Sequence, residues 1–305
     1  MKLIRPETIT DSIFQSSTVA ETDEAEWASG TTYADGDLVM VTSTAGGAAT
    51  ATHKIYESQA GSNTGNDPTI DDGTYWTEVS STNRWKMFDS IVQDQTTKAG
   101  GFNVVLQSPN VVNAIGLINV DAASITIEMV DSVEGTVYDE TFNMVSDSGI
   151  NDWYAYFFEP IVRDDRLAVT GLPPYANADI TVTFTDTGTA KCGACVIGQF
   201  ADLGFSQHGM NLSIIDYSTK STDASGRVTI TPGAFSDKME VDVVLDTSTF
   251  KQVKDVLTDV RTTPCVWVAE DDNRGSIIYG YYREFDIILS NPTLSRCALE
   301  IEGLI

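Results

Sequence analysis

Between residues 85 and 205, apolar and polar side chains alternate again and again with a period of two. The runs are NVVLQS (103–108), NAIGLINV (113–120), SITIEMVD (124–131), TVYDETFNM (136–144), WYAYFFEPIV (153–162), RLAVTGL (166–172), DITVTFTD (179–186) and CVIGQFADLG (195–204). A period of two puts successive side chains on opposite faces of an extended chain, so each run reads as a strand with one buried face. Val, Ile, Thr and aromatics fill the runs, and Gly, Asp, Asn and Pro punctuate them. Strands at this spacing predict a β-sandwich of jelly-roll type over residues 83–205.

Residues 206–305 change period. STFKQVKDVLTDVRTTP (248–264) places Phe250, Val253, Val256, Leu257 and Val260 at helical spacing on one face. Ser248 or Thr249 is placed to cap its first turn, and Pro264 to end it. GRVTITPGAF and KMEVDVVLD precede the helix as strands. CVWVAED and SIIYGYYREFDIILS follow as a hairpin around 271–275, and RCALEIEGLI is a last strand. The expectation is an α+β domain with one helix on an antiparallel sheet. Within YGYYREF, alternation puts Tyr279, Tyr281, Arg283 and Phe285 on one face and Tyr282 on the other. One face covers the helix. The other is either buried in the domain or an inter-subunit surface, so Tyr279, Tyr281 and Tyr282 are candidate interface residues.

The N-terminal third is different again. Residues 1–26 read as an opening strand or tether, and 27–82 are rich in Gly, Thr and Ser with frequent turns. STAGGAATAT (43–52) reads as a mobile hairpin tip or a loop inserted between two module strands. Trp27, Tyr33, Tyr56, Trp76 and Trp85 are dense for so short a segment. In a small module several such rings fill the core. A flat ring left outside would stack on a sugar. The pattern Trp27, Tyr33, Gly36-Asp37, Val39, Tyr56, Pro68, Trp76 resembles the small chitin- and cellulose-binding modules, whose framework positions fall here on Trp27, Tyr33 and Trp76. Those modules usually carry a further aromatic after the strand matching Tyr56, where this chain reads ESQAGSNTG. TNRWKMFDS (82–90) and the ending YGYYREFDIILSNPTLSRCALEIEGL resemble bacteriophage tail proteins that carry such a module near their N-terminus.

Composition narrows the partners. The chain has 44 Asp and Glu against 18 Lys and Arg, a formal net charge of −26. Such a surface repels nucleic acid. No apolar run approaches a membrane span, and MKLIRPETITDSIFQ has no apolar core long enough for a signal peptide. The expected setting is a reducing cytoplasm. Cys192 and Cys195 form a C-x-x-C, with Cys265 and Cys297 single. A zinc site needs a second ligand pair, and residues three apart on a strand face opposite ways, so buried free thiols are expected ahead of metal or redox chemistry.

Catalytic signals are weak. The sequence has no nucleophile elbow, zinc-protease helix, P-loop or dinucleotide fingerprint. His208, in FSQHGMN, reads as a boundary residue rather than a base for Ser206. Asp71-Asp72, Asp164-Asp165, Glu159 and Glu270-Asp271-Asp272 are the carboxylates that a glycosidase or a calcium site would draw on, but the doublets sit at turns where acids are common. No catalytic residue, metal or cofactor is expected. The phage resemblance implies a structural protein of the virion tail, in its distal part, baseplate or fibre attachment region. It would be made in the host cytoplasm and form a homo-oligomeric ring or trimer with other tail proteins. The module resemblance implies contact with host surface glycan through Trp27, Tyr33 and Trp76. A receptor-binding adhesin and, less so, a polysaccharide-degrading enzyme are the alternatives.

Overall fold

The computed structural model describes residues 1–146, 152–158, 162–207, 209–223, 225–270, 273–288 and 293–304. The fold is mainly β: a sandwich, a small N-terminal β module, and one helix lying on an antiparallel sheet. Its spine is an eleven-stranded sheet. From one edge the order is Arg166–Val169, Ala114–Asp121, Thr189–Asp202, Lys2–Pro6, Cys265–Val268, Ile277–Ile288, Leu294–Gly303 and Phe235–Asp246, with Phe205–Ser206 and Asn211–Asp216 both pairing to Phe235–Asp246. The eleventh strand, Thr96–Ala99, pairs with Thr189–Asp202.

A second sheet of five strands, Gly135–Asn143, Ser124–Asp131, Asp179–Thr185, Phe102–Gln107 and Phe14–Ser17, closes the sandwich. Its register explains the packing. Ile125 pairs with Phe184 and Phe184 with Phe102; Ile127 with Val182 and Val182 with Val104. Residues directly opposite in an antiparallel pair share a face, so whole rows turn inward onto Ile115, Leu117, Val120 and Ile197 of the large sheet.

The N-terminal strand joins the two halves. Lys2–Pro6 pairs with Thr189–Asp202 on one side and Cys265–Val268 on the other. The expected division at 205/206 therefore falls within one continuous sheet, and residues 2–6 lie in its interior. Leu3 turns into the core beneath the helix and Ile4 into the core on the opposite face; both are fully buried. Arg166 fastens the same seam by donating to the Ile277 carbonyl and to the Asp237 carboxylate.

The expected helix spans Phe250–Asp259 and buries Val253 and Leu257, with Val260 just beyond it, against Met239, Val241 and Leu299. It stops short of Pro264. Its cap residue, Thr249, makes no side-chain cap bond; its hydroxyl donates instead to the Asp246 carbonyl.

Three expectations are corrected by local geometry. WYAYFF forms a short helix, Trp153–Phe158, rather than a strand. Helical spacing brings Trp153 against Phe157 and Tyr154 against Phe158. Cys192 and Cys195 face the same core rather than opposite ones. The flip occurs at Asn119, whose φ is +53, opposite Gly193, where an added Cβ would lie 2.2 Å from the Val92 carbonyl oxygen. Finally, a bulge between Tyr282 and Glu284 breaks alternation, so Phe285 joins Tyr282 over the helix core.

Candidate functional site

The module is a four-stranded sheet, Ala25–Glu26, Leu38–Val41, Lys54–Ser58 and Trp76–Ser81, with a small pair, Thr32–Tyr33 and Asn63–Thr64, across it. Its core is Trp27, Tyr33, Val39, Val41, Ala48, Tyr56 and Trp76. Trp27 and Trp76 are each 2% exposed and Tyr33 8%. Trp76 meets Tyr33 edge to face at 5.2 Å and donates its indole N–H to the Asn66 carbonyl. The Tyr33 hydroxyl accepts from the Ala28 amide. Rings this enclosed cannot offer a face to a sugar, so the framework residues hold the module together instead. Residues 43–52 are the loop between Leu38–Val41 and Lys54–Ser58, packed on the module rather than projecting as a tip. Gly46 packs on the backbone of Trp27, where a Cβ would come within 1.9 Å of the carbonyl oxygen, and Ala48 is buried. Tyr75 and Ile70 are the large apolar side chains that the module exposes around this core, with Leu38 and Val79 on its strands.

The three tyrosines nominated as an interface have partners within the chain. Tyr279 is buried, and its hydroxyl bonds Ser90 Oγ at 3.3 Å. Tyr282 donates to the Leu257 carbonyl and meets Trp267 and Phe285 edge to face. Tyr281 is half-buried beside Glu302 on the outer face of the sheet.

A different surface stands open. Asn211–Asp216 is the outermost strand beside Phe235–Asp246, and most of it is exposed, including Leu212 and Ile214. The chain continues into a two-stranded hairpin, Thr219–Thr222 with Val228–Thr231, whose every strand residue is exposed. Val228 and Ile230 share one face of it, and Ile230 is 67% exposed. Phe235 lies at its base, and Phe205 (83% exposed) lies near the other end of Phe235–Asp246, opposite Val244. Asp223 shapes the tip by accepting from the amides of Ser225 and Arg227, which holds its carboxyl below the ordinary range. The sequence reading places a strand in GRVTITPGAF but none at Asn211–Asp216 or Thr219–Thr222, and it does not foresee the exposure of all three among the described residues. The signal available was the alternation of Leu212 with Ile214 and of Val228 with Ile230 in otherwise polar runs.

The remaining chemistry is structural. All four cysteines are buried free thiols. Burial pushes Cys195, Cys265 and Cys297 up to about 12. Cys192 is raised well above its ordinary value, by burial and then by Cys195. Asp71 accepts from the amides of Gly73, Tyr75 and Trp76, and Asp72 from Thr74. Asp164 pairs with Arg274, and Asp165 with Arg166. No cluster of possible metal ligands occurs among the described residues, and no helix there is long and apolar enough to cross a membrane. His208, Glu159, Asp271 and Asp272 lie outside the described residues. In comparisons with known proteins, no family matches this chain, and no curated protein does.

Proposed function

We propose that this chain is a structural protein of a bacteriophage tail, which assembles with copies of itself and with other tail proteins in the virion. The observation that supports it is the uncovered edge at Asn211–Asp216 together with the bare hairpin 219–231. A lone two-stranded hairpin is marginal in water, and an open strand edge invites pairing with another chain. Both features are reasonable in a subunit whose neighbour completes them. A head-to-tail contact repeated around an axis closes a ring, and modest interfaces then add up. The wide interior sheet and the sandwich supply a rigid body for such a ring. The module projects from that body as an accessory that docks a fibre or meets the cell surface.

The three framework rings are interior and do not present a face to a host glycan. Any sugar would have to meet other residues, with Tyr75 the exposed ring of the module. Ile214→Lys combined with Ile230→Lys tests the assembly surface. Both positions are exposed, so the melting temperature should stay near that of the unchanged protein, while the assembled species disappears from size-exclusion profiles. An unchanged assembly would remove the edge and hairpin as its contact.

A further inference from the structure

One histidine sits where the module meets the body. His53 begins the strand Lys54–Ser58 from a left-handed turn, φ +55, and its carbonyl accepts from the Thr82 amide where the chain leaves the module. Its ring points out of the module. Nδ1 lies 2.8 Å from Glu21 and Nε2 2.8 Å from Asp11, both in the N-terminal segment. One face of the ring stacks on Trp85 at 4.2 Å. A neutral imidazole has a single N–H, so it can donate to only one of two carboxylates and must turn a lone pair on the other. Two donors exist only in the imidazolium. Glu21 is itself buried and further held by Arg84 and the Thr82 hydroxyl, so it cannot swing away to water. Asp89 and Lys54 line the same groove as His53, and Lys54 is taken by Glu78.

We propose that His53 is a protonation latch, which fixes the module of residues 27–81 on the body as imidazolium and releases it when neutral. The direction of the titration agrees. Burial alone would lower His53, but hydrogen bonds and charge from Glu21 and then Asp11 outweigh it and raise it above 6.5. Its stabilisation is therefore complete below 6.5 and is lost as pH rises through the raised value. Burial alone would raise Glu21, yet His53, Thr82 and Arg84 hold it below 4.5. Its share is present above 4.5 and is lost as pH falls through the lowered value. The latch is closed between those limits. Asp89 is raised by burial and, once ionised, adds negative charge to the groove on the side of the imidazolium.

Hydrogen exchange followed by mass spectrometry tests this on the full chain in any assembly state. The imidazole C2 hydrogen reports the His53 midpoint, and amides of residues 18–24 and 82–86 report the junction. The expected result is a midpoint above 6.5, with junction protection lost over the same pH interval. His53→Asn, which suits the left-handed backbone, should leave the junction unprotected at every pH. Junction protection that ignores the His53 titration, or survives in His53→Asn, overturns the latch. Should that variant fail to fold, Asp11→Asn removes only the exposed partner. It should lower the midpoint and move the loss of protection with it; loss at the unchanged pH would equally overturn the proposal.

Discussion

At the scale of single residues, the structure separates what an aromatic does from what it resembles. Trp27, Tyr33 and Trp76 are legible as a set because aromatics crowd this short segment around the Gly36-Asp37 turn. Which way they face is not, because a ring that fills a small core and a ring that meets ligand have the same one-letter code. Their burial makes a direct prediction. Trp76→Ala removes a fully packed ring and its bond to Asn66, and should cost the module about 3–5 kcal/mol. Amide exchange within 27–81 should rise while the sandwich keeps its protection; an unchanged module would show that the ring is dispensable. The thiols follow the same logic. Nucleophilic attack needs thiolate, and burial holds the thiols of all four cysteines above their ordinary range. At pH 8 a thiol reagent should label the native protein slowly and the denatured protein at once. Rapid native labelling at Cys192 or Cys195 would contradict the packing described.

At the scale of elements, strands with strict alternation were readable and their partners were not. Ser124–Asp131 coincides with the SITIEMVD run, and the helix buries Val253 and Leu257 as its spacing requires. Pairing between Lys2–Pro6 and two strands remote in sequence, Thr189–Asp202 and Cys265–Val268, leaves no local mark in the sequence. Parity arguments failed where one residue broke the period, at Asn119 and at the bulge beside Arg283. The run at 153–158 misled because aromatics favour strands, whereas the ring pairs at i and i+4 are a helical signal of similar strength. The central seam can be probed through Gly198. A Cβ there would meet the Arg5 carbonyl oxygen at 1.9 Å, so Gly198→Ala must push the N-terminal strand away. A loss of about 1–3 kcal/mol in denaturant unfolding is expected. Stability equal to the parent would mean that the strand is not held in place.

At the scale of the whole molecule, one sheet runs through both expected C-terminal units, and a small module is tied to them by an ionic junction. The acid surplus of the chain, net −26, opposes non-specific association, whereas the exposed edge and hairpin are the surface that the proposed assembly would use. The tail reading therefore depends on association. Solution mass by light scattering over a range of concentrations tests it most directly. The account predicts a closed multimer of fixed stoichiometry that persists on dilution. A monomer of 33.0 kDa at every concentration would contradict self-assembly through this edge.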